Sequence, residues 1–247
     1  MEYFLDTVET IPPGVGFSLF GKIHWMWLTV FILFTVGSCL WYHGAGAEAR
    51  ANWEKGMALF LLGDELFKMA CLTIGQRYLP DYLPLHLCSI NIFLILFHSR
   101  KKNETLNHFL YTVGIPGAMA ALLFPSWAEL PLGNFMHIHS FTVHILLAAY
   151  PIVLAVNGVL RPSAGGILKC LALLLAMAAP ICLINLWLGT NFMFLMWAEP
   201  GNPLYLFQQL WGSHLYGFPV IIAGVLLLMY LPLELIRKYR KPKPAKK

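Results

Sequence analysis

Apolar residues along this chain run in long blocks rather than alternating with polar ones. The blocks cover roughly 23–42, 53–74, 83–99, 105–125, 136–157, 166–188 and 215–236. Crossing the hydrocarbon core of a bilayer takes about 20 mostly apolar residues in a helix. The pattern therefore predicts an all-α integral membrane protein, a bundle of about seven transmembrane helices. Two blocks depart from the pattern: the second contains Asp64, Glu65 and Lys68, and the third is short and begins after a proline. The stretch 189–214 predicts a long loop, in which Leu204, Leu206, Phe207 and Leu210 suit a short interfacial or re-entrant helix. No repeat or second domain interrupts the blocks. The organisation expected is a single helical domain, 1–236, followed by a basic tail, 237–247, without regular structure.

Charge adds an orientation. Only 12% of the residues are charged while 58% are hydrophobic, against about a quarter charged in a soluble domain. Arg50, Lys55, Arg100, Lys101, Lys102, Arg161, Lys169 and the tail lysines and arginines all fall on one side of a seven-span chain. Lys22 and Arg77 alone fall on the other, and Lys68 lies inside a block. Basic loops stay in the cytoplasm, so the N-terminus is expected outside and the C-terminus in the cytoplasm of a multi-pass plasma-membrane protein. Glu2, Asp6 and Glu9 occupy the place of a positive n-region, which argues against a cleaved leader. The tail suits anionic lipid headgroups; no basic groove or motif points to nucleic acid. The five cysteines, at 39, 71, 88, 170 and 182, sit in apolar surroundings without a CxxC pair, so no disulfide framework is expected.

Ionisable and amide side chains inside spans are costly and mark candidate sites. Cys88, His86 and Asn91 fall early in the third block. His137, His139 and His144 fall in the first half of the fifth. Asp64, Glu65 and Lys68 lie in the second half of the second block, with Asn185 near the end of the sixth and Asn191 just beyond it. Up-and-down threading brings all of these to one half of the bundle, and no comparable cluster is expected in the other half. Glu65 and Asp64 share a helix side with Lys68; they form either a self-neutralised structural pair or a carboxylate lining a polar cavity that orients a histidine. His137 and His144 share a face with Ser140 between them, and His139 points elsewhere. These histidines are either satisfied interfacial groups or general bases. Metal ligation is disfavoured by the absence of HxxxH, and no metal or cofactor is expected. In a helix His86 lies about 200° around from Cys88 and is a poor local partner for it; a thiolate needs a facing histidine from another span.

Two strings go further. LPLHLC at 83–88 and NLWLGTNFMFLMWAEP at 185–200 resemble the signatures of the YwaF-like membrane proteins, whose eukaryotic branch is transmembrane protein 164. The spacing from His144 through Tyr150 to Arg161-Pro162 fits as well, and the resemblance runs from about residue 50 to 236. It implies an acyltransferase acting on glycerophospholipids through a cysteine and a histidine. The cysteine maps onto Cys88, and the histidine maps best onto His144, with His139 and His137 as alternatives. Three histidines stand here where the resemblance implies one, and Ser89 stands where it implies an acidic residue in many bacterial relatives.

The expected function is thus acyl transfer, or acyl hydrolysis, with membrane phospholipids and lysophospholipids as partners. Cys88 attacks an acyl ester, His144 takes the thiol proton, and an acyl-thioester forms. Glu65 supports a histidine, while Asn91, Asn185 and Asn191 are candidate oxyanion donors. Two readings compete. One is a transporter or lipid-binding protein using the same cluster; the other is a seven-span zinc-dependent lipid hydrolase.

Overall fold

The computed structural model describes residues 2–198 and 202–240, and side chains as far as Leu235. The described residues form an all-helical bundle. Its α-helices are α1 (Lys22–Gly44), α2 (Ala47–Ile74), α3 (Leu87–Arg100), α4 (Glu104–Phe109), α5 (Ile115–Leu123), α6 (Phe135–Val156), α7 (Ile167–Leu188), α8 (Pro203–Trp211) and α9 (Gly217–Arg240). Six helical stretches are long and apolar enough to cross a membrane: Lys22–Gly44, Pro80–Arg100, Glu104–Leu123, Phe135–Val156, Ala164–Leu188 and His214–Leu235.

α6 is the axis of the bundle. Of its span 72% is buried, against 11% for α7 and 6% for α9. It is apolar on nearly every side and packs against α1, α2, α3 and α5, as a helix hydrophobic all round must. α7 and α9 lie at the periphery and leave Leu168, Leu175, Leu183, Trp187, Leu227 and Leu228 exposed. Apolar surface on this scale is stable only against lipid.

Three local departures from the sequence pattern have physical causes. The third span becomes helical only at Leu87, after the short helical turn Pro80–Tyr82; Pro84 disfavours helical backbone at the residue before it. The fourth span carries a π-helical turn, Leu110–Gly114, between α4 and α5. Pro116, in the first turn of α5, lacks the N–H that would continue the α ladder. Finally, α9 continues to Arg240, past the point where a structureless tail was expected; the remainder of that tail, 241–247, lies outside the described residues. The loop before α9 does hold the short helix expected of it, α8.

Helix ends are held by side chains. Arg50 donates from Nε to the Tyr42 carbonyl at 2.9 Å and from its terminal nitrogen to that of His43 at 2.9 Å, satisfying the last carbonyls of α1. Asn134 caps α6 by accepting from the N–H groups of Met136 and His137. At the start of α7 a Cβ on Gly166 would meet the buried His108 ring at 2.1 Å. Gly166→Ala therefore forces that ring aside, with an expected loss of about 1–3 kcal/mol, read as a lower melting temperature in detergent.

The expectation of a single polar cluster is corrected by the structure. A second one fills the opposite end of the same helices. Tyr42 donates to Glu54 Oε1 at 2.6 Å and Lys102 Nζ reaches the same oxygen at 2.9 Å. His98 bonds the Tyr150 hydroxyl at 2.9 Å and Asn107 Oδ1 at 2.7 Å, and Trp53 stacks on Tyr150. Glu54 and His98 were invisible as a pair because they meet only when α2, α3 and α6 pack. Their hydrogen bonds are complete, which makes this end a brace.

Candidate active site

α2, α3 and α6 converge at the other end, and there the polar groups are not all satisfied. From α2, Glu65 and Lys68 form a buried ion pair. Asp64, one residue earlier, reaches His139 of α6, with Asp64 Oδ2 3.0 Å from His139 Nδ1. Glu65 Oε2 lies 3.7 Å from His139 Nε2. Ser89 of α3 donates to Glu65 Oε1 at 3.4 Å. His139 thus faces the α2 carboxylates, which is what its departure from the His137/His144 face leads to. It is bracketed by two carboxylates, a role that a one-helix reading had no means of assigning.

Several atoms here have no aligned hydrogen bond although they are buried: Asp64 Oδ2, Glu65 Oε2, His139 Nδ1, Asn91 Oδ1 and, beside His144, Trp127 Nε1. Buried polar atoms are nearly always paired in folded proteins; here Asp64 Oδ2 and His139 Nδ1 face each other as an ion pair, while Asn91 Oδ1 and Trp127 Nε1 have no partner of either kind. Among the described residues no group of three or more His, Cys, Asp or Glu side chains is arranged to hold a metal.

The three histidines of α6 are held very differently. His137 is fully engaged: its Nδ1 donates to the Leu130 carbonyl at 2.9 Å and its Nε2 accepts from Trp27 Nε1 at 2.9 Å. Both ring nitrogens are occupied, so it is a cross-brace between α1, α6 and the 125–134 loop. His144 has one commitment. Its Nδ1 donates to the Ser140 carbonyl at 2.7 Å, and its ring stacks on Trp127, centroids 5.1 Å apart and 15° from parallel. The bond to Ser140 fixes the tautomer and leaves the Nε2 lone pair free, the arrangement a general base requires.

Cys88 sits in the first turn of α3, for which His86 is the N-cap residue. Lys68 and Glu65 of α2 lie in electrostatic reach of the Cys88 sulfur. First-turn amides have no helical acceptor, and the positive end of the helix stabilises negative charge there. Among the described residues no hydrogen bond joins Cys88 to a histidine; all five cysteines are free. His86, outside the helix, packs edge-on against Phe192 at 5.1 Å and lies 6.1 Å from Phe194.

The remaining amide candidates are placed by the same contacts. Asn185 and Asn191 are taken up by the loop after α7. Asn185 Oδ1 accepts from Thr190 and the Phe192 N–H, and its amide donates to the Phe192 carbonyl. Asn191 Oδ1 accepts from Met196 and Trp197, and its amide donates to the Trp197 carbonyl. These two fold the loop that carries Phe192 and Phe194 against His86. Asn91, with its orphaned Oδ1, is the amide that remains beside the α2–α6 cluster. Ser89 and Trp127 belong to the site and were not assigned to it in advance; Asp64 was placed there with Glu65 and Lys68. The signal for Asp64 was the helix side it shares with Lys68.

An apolar helical shell around a buried cluster of acid, amine and imidazole defines a polytopic membrane protein with a polar site inside its bundle. The chain belongs to the TMEM164 family, whose model matches residues 19–230. No curated protein and no solved structure matches it.

Proposed function

We propose that the protein is a membrane-embedded acyltransferase acting on glycerophospholipids through an acyl-thioester on Cys88. The observation that carries this reading is the pairing of environments across α3 and α6. One helix offers a cysteine at its first turn, where the backbone amides have no helical acceptor. The other offers His144, with a fixed tautomer and an uncommitted Nε2.

His144 Nε2 accepts the thiol proton. The sulfur attacks the ester carbonyl carbon of a donor phospholipid; a C–S bond forms, the C–O bond breaks, and the lysolipid leaves with the proton from His144. The first-turn amides of α3, together with Lys68, face the negative charge that develops on the carbonyl oxygen. An incoming lipid hydroxyl then reverses the sequence, regenerating the thiol. Hydrogen bonds of this kind tighten when substrate arrives.

We assign α2 as a seventh span, with the N-terminus outside and the C-terminus in the cytoplasm of the plasma membrane. Its 28 residues reach about 42 Å at 1.5 Å each, more than the hydrocarbon core requires. Glu54, Glu65 and Lys68 are buried, and Leu59, Phe60, Leu66 and Phe67 are among the exposed residues. The charges in the middle and second half of α2 thus turn inward, and the exposed Glu48 and Lys55 lie within its first three turns.

The test is direct. Protein reconstituted in lipid is given a phospholipid with a labelled acyl chain, and intact mass is recorded. The expected result is one labelled acyl group, released by hydroxylamine and absent from Cys88→Ala. Absence of label on the wild type across several donor lipids overturns the proposal in favour of binding or transport.

A further inference from the structure

The N-terminal segment is bound across the end of the bundle that holds the site. Asn134, fully buried, donates from Nδ2 to the Tyr3 carbonyl at 2.7 Å and to the Asp6 carbonyl at 2.8 Å. The same side chain caps α6 with its oxygen, so one residue both starts the central helix and ties down the segment. The Phe135 N–H donates to the Phe4 carbonyl at 3.1 Å. Further along, Asp6 lies 3.7 Å from Arg77 and Glu9 accepts from the Tyr82 hydroxyl at 2.7 Å. The Phe17 N–H donates to the Ala128 carbonyl at 2.8 Å. A Cβ on Gly16 would meet that carbonyl at 2.1 Å, so only glycine permits this approach.

What the segment adds is apolar. Phe4 and Leu5 pack with Tyr78, Tyr82 and Met136 on Cys71, Leu72 and Phe135, and both Leu72 and Phe135 are completely buried. Leu72 is one helical turn beyond Lys68, and Phe135 is one turn before His139. A hydrophobic layer about 5–6 Å thick, one turn of helix, therefore separates the polar cluster from the end of the bundle where Gln76, Arg77 and Asp81 meet water.

We propose that residues 3–17 are a strap that excludes water from the site, so that the acyl-thioester is discharged by a lipid hydroxyl arriving from the membrane. This rests on the acyl-transfer reading and specifies its acceptor. Both outcomes share one step: an O–H oxygen attacks the thioester carbonyl, the C–O bond forms, the C–S bond breaks, and the hydroxyl proton passes through His144 to the departing sulfur. With a lysolipid hydroxyl the product is a phospholipid; with water it is a free fatty acid. An intermediate this reactive survives for transfer only where water is kept out.

The full-length protein is reconstituted with a labelled-acyl phospholipid and an unlabelled lysophospholipid, and labelled fatty acid is compared with labelled transfer product. Two variants loosen the strap independently: Asn134→Ala, and the double change Phe4→Ser with Leu5→Ser, which leaves the α6 cap intact. Hydrogen exchange of the Phe135 amide reports whether the strap has lifted. The expected result is faster exchange and a ratio of hydrolysis to transfer raised about tenfold or more, with thioester formation retained. An unchanged ratio when exchange has quickened overturns the inference, as does unchanged exchange in both variants. Wild-type protein that forms the thioester but yields mainly fatty acid also defeats the strap while leaving the Cys88 mechanism standing. No thioester on wild type defeats the acyl-transfer reading itself.

Discussion

His144→Ala is expected to slow thioester formation by about 10²–10⁴-fold, the usual contribution of a positioned acid–base group. His137 has both ring nitrogens hydrogen-bonded and His139 has both turned toward carboxylates, so His144 is the ring of the three on α6 with a nitrogen that faces neither. Nδ1–H is spent on the Ser140 carbonyl and Trp127 holds the ring plane, so Nε2 has a defined direction and no competing donor. Raising the pH, which supplies thiolate without a base, recovers part of the lost rate in this variant and not in Cys88→Ala. His137→Ala is the internal control. It frees the Trp27 N–H and the Leu130 carbonyl at a cost of about 1–3 kcal/mol, and so lowers the melting temperature while leaving the per-molecule rate within a few-fold. Equal rate losses for the two variants refute the assignment of His144 as base.

Lys68→Met is expected to be the most destabilising single change in the site. Lys68 and Glu65 are both buried, and Glu65 has neighbours in His139 and Ser89 but no other fixed cation. Removing the ammonium leaves a carboxylate uncompensated in low dielectric, a loss of about 3–5 kcal/mol. In a chain of this size that lowers the melting temperature on the order of 10 °C, measurable by thermal unfolding in detergent. Lys68→Met combined with Glu65→Leu removes both charges together and is expected to regain most of the stability. A single variant that melts like the wild type indicates that water reaches the pair, and with it the site.

The candidate site was legible in its components and illegible in its pairings. Cys88 and the α6 histidines stand out because ionisable groups are rare in apolar blocks. Asp64 and Lys68 show their common side because i,i+4 neighbours share a helix face. His139 shows the limit of that logic. A helical wheel states that it departs from the His137/His144 face but not what it faces, and only the packing of α2 against α6 supplies Asp64 and Glu65. His86 shows another: a wheel drawn through residue 86 assumes helix there, and His86 itself is extended, the helix beginning at Leu87. Asn185 and Asn191 share the depth of the site but fold back on their own loop, a choice that depends on the turn at Gly189–Phe194 and not on span position.

By itself the sequence determined the class of protein, the boundaries of most spans to within a few residues, and the residue types available for chemistry. These follow from local quantities: block length, the cost of charge in hydrocarbon, and helical periodicity. Tertiary structure alone decided which histidine keeps a free nitrogen, which carboxylates meet it, that a second polar cluster braces the far end, and that residues 3–17 close the near one. Each of those depends on contacts between segments far apart in the chain, such as Asn134 with Tyr3 or His137 with Trp27. Hydrogen-bond satisfaction in a buried site is a property of the packed assembly, and no single helix carries it.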